Sequence, residues 1–141
     1  MKTLISLFVL TASSAATLCA QNSRPITAEI PFVFFVGDRQ MPAGEYRVTE
    51  TSAKMIIVRS EDCRGAAVLQ SFAARKMEPK KRDTLVFRSY GEGRYFLGWI
   101  WSAGSATGTE VPKSEKEREA VTSTLRASLG PTTVVILAHA R

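Results

Sequence analysis

Short runs of β-branched and aromatic residues alternate with Gly, Pro and charged clusters along most of the chain. Runs of this kind, bounded by turn-forming residues, are typical of antiparallel strands. The pattern predicts a mainly β fold of six to seven strands, arranged as an antiparallel β-sandwich or a small β-barrel. The predicted strands lie in residues 30–36, 45–50, 54–59, 66–73, 84–102 and 132–138.

The best-defined unit is a hairpin over residues 84–102 with a two-residue turn at Glu92-Gly93. This turn places Phe87 opposite Gly98, where the Phe87 ring fills the space above the glycine. The face that we expect to pack in the core carries Leu85, Phe87, Ser89, Phe96, Gly98 and Ile100. The other face, called the outer face below, carries Thr84, Val86, Arg88, Tyr90, Tyr95, Leu97, Trp99 and Trp101.

One helix is predicted over residues 114–129, before the last strand. Ser114 is followed three residues later by Glu117, which is the spacing of an N-terminal capping box. Gly130 and Pro131 end the helix, because proline cannot continue it. The residues that form a narrow apolar stripe at four-residue spacing are Val121, Leu125 and Leu129.

Five side chains of the outer face form the candidate ligand site: Arg88, Tyr90, Tyr95, Trp99 and Trp101. Aromatic rings on adjacent strands can stack on the flat apolar faces of a sugar or a lipid head group, and an arginine offers bidentate hydrogen bonds. The alternative is that the helix or a second sheet covers these rings, because aromatic residues in strands commonly pack in a core.

The first twenty residues have the order of a secretory signal peptide: a positive start, an apolar run over 4–10, and then small residues. The apolar run is far shorter than the roughly 20 residues that a membrane anchor needs. Cleavage after Ala20 or after Ala16 leaves a single domain, taken here as 21–141, exported to the periplasm or the extracellular space. Cys19 raises the alternative of a lipoprotein, but Leu18 stands where a small residue is expected.

The exported chain is basic, with 18 Lys and Arg residues against 13 acidic ones, a net charge of +5. The excess is local, because five bases lie close together: Arg75, Lys76, Lys80, Lys81 and Arg82. This cluster is a candidate anion site for a polysaccharide, a lipid head group or another envelope polyanion. A solvated loop is the alternative, favoured by Glu78-Pro79. We expect no nucleic-acid partner and no transmembrane segment in the mature chain.

Few residues are suited to catalysis or metal binding. After signal cleavage Cys63 is the only cysteine, so an internal disulfide is excluded, and its polar setting favours an incidental thiol. His139 is the only histidine and lies close to the C-terminus, where a catalytic base is held poorly. With one His and one Cys, a zinc site of thiolates and imidazoles cannot be assembled. The sequence predicts no metal, cofactor or catalytic residue.

Two functional hypotheses remain. The favoured one is a non-enzymatic exported β-domain that acts as an envelope or extracellular binding or structural module. The alternative is a minor secreted hydrolase that uses a carboxylate pair brought together by the fold, with a separation in the ~5–10 Å range of glycosidases. The candidate carboxylates for that alternative are Glu45, Glu50, Asp83 and Glu110.

Three segments of the chain carry a resemblance: IPFVFFVGDRQMPAGEYRV, LVFRSYGEGRYFLGWIW and TGTEVPKSEKE. Together they resemble an uncharacterised family of small secreted bacterial proteins with I-P-F-x-F-x-V-G, L-P-A-G-x-Y, Y-G-x-x-Y-F-L and E-L-P-K-S-x-x-E motifs. Met41 and Val111 stand where that family has Leu. The resemblance implies a secreted β-rich domain and carries no activity or site residues.

Overall fold

A computed structural model describes residues 24–75, 78–127 and 130–140 of the chain. The segment interpreted as a signal peptide, with both cleavage sites and Cys19, lies outside the described residues. The helix is α1 (Glu115–Arg126), and the strands are β1 (Ile26–Ile30), β2 (Phe34–Val36), β3 (Arg39–Met41), β4 (Gly44–Glu50), β5 (Met55–Ser60), β6 (Ala66–Gln70), β7 (Phe72–Arg75), β8 (Thr84–Ser89), β9 (Tyr95–Trp101), β10 (Thr107–Glu110), β11 (Thr132–Leu137) and β12 (His139–Ala140).

Two sheets form a sandwich-like arrangement. The smaller sheet has the order β12-β1-β4-β5-β6, and the larger has the order β11-β8-β9-β10-β7, with β2 and β3 added beside β9. All strand pairs are antiparallel except β2 with β9. The prediction of a mainly β, sandwich-like fold with one helix before the last strand is confirmed. The described strands outnumber the predicted ones because the runs 30–36 and 66–73 are each divided between two strands, and β3, β10 and β12 lie outside the predicted runs.

Two of the passages between the sheets are bends between consecutive strands. The first consists of β6 and β7 and passes from the smaller to the larger sheet at Ser71, whose backbone N–H and hydroxyl both donate to the Lys54 carbonyl. The second consists of β11 and β12, and at its bend the N–H of Ala138 donates to the Asp83 carbonyl. Because Ser71 and Ala138 are both buried, these bonds satisfy backbone groups that would otherwise be costly at a corner.

The core fills the space between the sheets. Phe34 lies at its centre, edge-on to both Tyr46 and Phe87, with ring centroids 5.0 and 5.4 Å away. The buried Tyr46 hydroxyl donates to the Pro42 carbonyl at 2.6 Å, so burying it leaves no polar atom unpaired. Packing of these hydrophobic side chains stabilises the fold. Cys63 is a free thiol on the surface.

The prediction of one strand over 30–36 is wrong. β1 ends at Ile30 in the smaller sheet, and β2 begins at Phe34 in the larger one. Pro31 lies between them, where its missing N–H cannot interrupt a ladder. The apolar character on both faces of this run therefore reflects a chain that passes from one sheet to the other.

The hairpin of β8 and β9 contains the predicted turn but a different register. The N–H of Arg94 donates to the Gly91 carbonyl around Glu92 and Gly93, both of which have positive φ. Leu85 faces Ile100 as predicted.

The register of this hairpin then shifts between Val86 and Phe87, and Phe87 faces Leu97 instead of Gly98. The predicted pairing of Phe87 with Gly98 is therefore wrong. A shift of one residue reverses the side-chain faces. Leu97 and Tyr95 accordingly turn toward the core, and Phe96 turns outward to pack with Tyr90.

The helix begins as predicted, with Ser114 as its N-cap accepting a hydrogen bond from the N–H of Glu117 at 3.2 Å. The apolar stripe docks only in part, through Val121, which is half-buried and packs against Tyr90, Phe96 and Ala120. Leu125 is 67% exposed, and Leu129 lies outside the described residues. The buried helix residues are Glu117, Ala120 and Thr124. Their small or polar side chains let the helix approach the sheet closely.

Candidate functional site: a buried polar cluster on the outer face

The helix α1 covers the end of the outer face that is nearest the hairpin turn. Arg88 is 6% exposed, Tyr90 3% and Glu117 2%. Arg88 comes from β8, Tyr90 directly follows that strand, and Glu117 comes from the first turns of α1. Arg88, Tyr90 and Glu117 are called the buried polar cluster below.

The Glu117 carboxylate satisfies both partners from the sheet. Its Oε2 accepts a hydrogen bond from an Arg88 terminal nitrogen at 3.0 Å, and its Oε1 accepts one from the Tyr90 hydroxyl at 2.8 Å. Arg88 Nε lies 2.5 Å from Oε1 at ion-pair distance, without the alignment of a hydrogen bond. Arg88 also donates to the Val111 carbonyl at 2.9 Å. Each charge is thus compensated inside the protein, as a buried ion pair requires.

The Tyr90 hydroxyl is held in its neutral form. The pKa of Tyr90 is raised to about 12, chiefly by burial and then by the hydrogen bond to Glu117 and the negative charge of that carboxylate. The positive charge of Arg88 acts in the opposite direction, with a smaller effect. Tyr90 is therefore a hydrogen-bond donor at neutral pH and not a proton acceptor.

Gly98 provides the room for the arginine. A Cβ at this position would lie 3.3 Å from three atoms of the Arg88 side chain, a contact closer than nearly all real Cβ contacts. The Trp99 ring adds a cation–π contact, with its centroid 4.9 Å from Arg88 Cζ. The space above Gly98 is therefore filled by a guanidinium group, not by the predicted Phe87 ring.

The five residues of the predicted ligand site do not form one open face. Arg88, Tyr90 and Trp101 are buried, and Trp99 is half-buried. Tyr95 lies on the opposite face because of the register shift, where its ring stacks on Phe32 at 4.1 Å. The alternative that the helix covers this face holds for Arg88 and Tyr90, and ligand binding by the five residues stays a prediction.

The predicted anion site is an exposed part of the chain. Arg75, Lys81 and Arg82 are exposed and Lys80 is half-buried, whereas Lys76 lies outside the described residues. The Lys80 carbonyl accepts a hydrogen bond from the N–H of Gly104, which ties this segment to the loop before β10. The described bases are accessible to a polyanion, and their binding of one stays a prediction.

Two of the four candidate carboxylates make structural hydrogen bonds of their own. Asp83 is buried and accepts a hydrogen bond from the N–H of Ala103 at 2.8 Å. Glu50 accepts one from the Thr109 hydroxyl at 2.7 Å. The remaining two candidates are an exposed residue on β4 and a half-buried residue on β10, Glu45 and Glu110.

The described residues give no sign of a metal centre or a membrane helix. No group of three or more His, Cys, Asp and Glu side chains in the described ranges is placed to hold a metal ion. His139 is exposed on β12 opposite Thr27 of β1. In the same part of the chain, no helix has the length and apolar character needed to cross a membrane.

Sequence reasoning identified Glu117 but assigned it the wrong role. The spacing from Ser114 predicts a capping box, in which the Glu117 carboxylate returns to the cap. Of the two hydrogen bonds of a capping box, the described residues show the one that the Glu117 N–H donates to the Ser114 hydroxyl. The Glu117 carboxylate turns inward to Arg88. The sequence does contain an indication of this inward role. Ala120 and Thr124, which follow Glu117 on the same helical face, are small or polar residues.

Comparison with known protein families, with curated proteins and with solved structures gives no match for this chain.

Proposed function

We propose that this chain is an exported, non-enzymatic β-domain that acts as a binding or structural module in the cell envelope or outside the cell. Export rests on the order of charge, apolar run and small residues in the first twenty positions. The motif resemblance to a family of small secreted proteins supports the same reading.

One observation carries the non-enzymatic part of the proposal: the buried polar groups of the outer face form hydrogen bonds with one another. A catalytic acid or base must reach the substrate. The Glu117 carboxylate is instead buried between Arg88 and Tyr90, and both of its oxygens accept hydrogen bonds from them. We therefore interpret the buried polar cluster as the contact that holds α1 on the sheet.

Assays for turnover test the non-enzymatic part. The purified protein is incubated with panels of glycoside, ester and peptide substrates, beside a Glu50→Gln, Asp83→Asn double variant. We expect no activity above the background of a mock preparation. Reproducible turnover that the double variant abolishes would overturn the proposal in favour of the carboxylate hydrolase.

Export is tested by the N-terminus of the protein recovered from the periplasm or the medium. We expect the mature chain to begin at Gln21 or Thr17, the residues after Ala20 and Ala16. A Leu4→Arg variant, which interrupts the apolar run, should stay in the cytoplasm unprocessed. Full-length, unprocessed wild-type protein confined to the cytoplasm would contradict export.

A further inference from the structure

We propose that β6 is a docking edge that takes an extended acidic segment of a partner polypeptide as an additional strand. The inference rests on the proposed function in that it names the class of partner for a binding module. The observations that carry it do not involve the side chains of the buried polar cluster. They are the backbone phase of β6, the groove beside it and the charges along that groove.

Two backbone hydrogen bonds fix the phase of the ladder between β5 and β6. At one end the N–H of Ser60 donates to the Gly65 carbonyl at 2.8 Å. At the other end the N–H of Ser71 donates to the Lys54 carbonyl, also at 2.8 Å. The pairing between these ends is continuous. Since hydrogen-bonded pairs alternate in an antiparallel ladder, every second residue of β6 bonds to β5.

This phase directs half of the β6 backbone away from the sheet. Ala67 and Leu69 bond to β5, and the residues whose N–H and C=O groups point outward are Ala66, Val68 and Gln70. Among the described residues β6 pairs with β5 alone. An edge of this kind is a template for a further strand unless a proline, a bulge or charged side chains protect it. The sequence of β6, AAVLQ, contains neither proline nor a charged residue.

A groove of about 550 Å³ runs beside this edge. Its far wall is formed by the turn between β2 and β3 and by the segment 112–114 that leads into α1. The volume lies within the range of specific binding clefts, roughly 300–1,000 Å³. Val68, 57% exposed, offers an apolar side chain on the outside of the same edge. Strand addition supplies affinity through the main chain, and such a groove supplies side-chain selectivity.

Charge decides the chemistry of the occupant. The far wall carries two exposed bases, Arg39 and Lys113. The acid of the wall is Asp38, whose Oδ1 accepts a hydrogen bond from the backbone N–H of Lys116 at 3.0 Å and so is already engaged by the helix. A strand with Asp or Glu facing this wall is therefore favoured over a basic one.

The probe is a labelled synthetic peptide of about eight residues that alternates Val and Thr and carries two Asp. Its matched control carries Lys at the Asp positions. Fluorescence anisotropy with the purified wild-type protein should show saturable binding of the acidic peptide and much weaker binding of the basic one. Absence of saturable binding of the acidic peptide overturns the proposal.

Proline at position 68 tests the backbone edge itself. Val68→Pro removes an N–H that points away from β5, so the ladder keeps its hydrogen bonds. Acidic-peptide binding should weaken about tenfold or more in Val68→Pro and by much less in Val68→Thr, which keeps the N–H and loses only a methyl group of the docking edge. Equal binding by both variants would exclude strand addition at β6.

Charge reversal tests the far wall. An Arg39→Glu, Lys113→Glu double variant should lose the preference for the acidic peptide, whereas Arg118→Glu on the exposed side of α1 should keep it. A preference that survives the double reversal would contradict the assigned chemistry.

Amide hydrogen exchange of the wild-type protein reports on the edge without any variant. The Val68 amide should exchange quickly in the free protein, the Leu69 amide slowly, and Val68 should become protected when the acidic peptide is added. Slow exchange of Val68 without peptide, or protection that rises with protein concentration because a second copy pairs there, overturns the proposal. Failure of these tests leaves the turnover and export results unaffected, so the two proposals fail separately.

Discussion

Arg88 shows how one side chain changes the interpretation of a whole surface. On the sequence it is a cation among aromatic rings, a composition that suits a ligand site. In the structure its guanidinium group lies over Gly98, next to Trp99, and bonds to Glu117 and Val111. Such burial of a charge is tolerated only where a partner compensates it. The residues that make this face look reactive are the ones that hold the helix on it.

Alkaline pH should weaken the fold through Tyr90. Its pKa is raised from 10.0 to about 12, so the folded protein holds the phenolic proton more tightly than the unfolded chain. The resulting stabilisation is complete below pH 10 and is lost as the pH rises from 10 to about 12. We expect Tyr90→Phe to unfold with a smaller pH dependence across this range, measured by urea denaturation.

Tyr46 provides the matched control for that titration. Burial, with a further contribution from the charge of Asp62, also raises its pKa, and its hydroxyl donates to a backbone carbonyl. Tyr46→Phe should therefore leave the contribution of Tyr90 in place. Indistinguishable pH profiles for the wild type and Tyr90→Phe would contradict the buried hydrogen bond to Glu117.

At the scale of elements, the β8–β9 hairpin depends on a register shift that the turn alone does not predict. The shift moves Leu97 beneath Phe87 and leaves Gly98 facing Arg88. A two-residue turn without the register shift would pair Gly98 with Phe87. The sequence alone does not show that Arg88 lies over Gly98 instead. In the shifted arrangement Arg88 bonds to Glu117 of the helix, a contact between distant parts of the chain that no local pattern encodes.

Truncation of the two faces of the hairpin should destabilise the protein to similar extents. Phe87→Ala should cost about 3–5 kcal/mol, the usual loss for a buried Phe. Trp101 is also buried, and its ring lies so close to Gly108 that a Cβ there has no room. Trp101→Ala should therefore cost a comparable amount, measured by chemical denaturation. A loss at Trp101 below about 1 kcal/mol, as for exposed residues, would restore the open aromatic face.

The docking face of α1 can be tested by changing one small and one large residue. Ala120→Leu should destabilise the protein by about 1–3 kcal/mol, because it adds volume where the helix meets Tyr90 and Phe96. Leu125→Ala should change the free energy of unfolding by less than about 0.5 kcal/mol, since Leu125 is exposed. The reverse order of these effects in thermal or urea denaturation would show that the helix docks through its apolar stripe.

At the scale of the whole molecule, the alternation of the strands and the Gly and Pro boundaries were sufficient to predict the fold class and the helix before the last strand. The bends at Ser71 and Ala138 were not predictable, because a corner depends on which sheet the next strand joins. The buried polar cluster escaped prediction for a related reason. Its members are close in space, but Glu117 is far from Arg88 along the chain.

The two proposals use different parts of the fold. The buried polar cluster holds α1 over the hairpin of the larger sheet, and among the described residues β6 pairs with β5 alone, at the edge of the smaller sheet. The proposed recognition uses that edge and not the face that α1 covers. This division requires that Arg88 and Glu117 lie in an interior surface between the helix and the sheet.

A double-mutant cycle between Arg88 and Glu117 tests whether these two side chains pair in the interior. The free energies of unfolding of Arg88→Met, Glu117→Gln and the double variant are compared with the wild type by urea denaturation. Each single variant leaves one buried charge without its partner and should cost about 3–5 kcal/mol. The double variant should cost at least about 2 kcal/mol less than the two single losses together, because no unpaired charge remains. Additive single losses below about 1 kcal/mol are the behaviour of exposed side chains. Such losses would contradict the burial of Arg88 and Glu117 between α1 and the sheet.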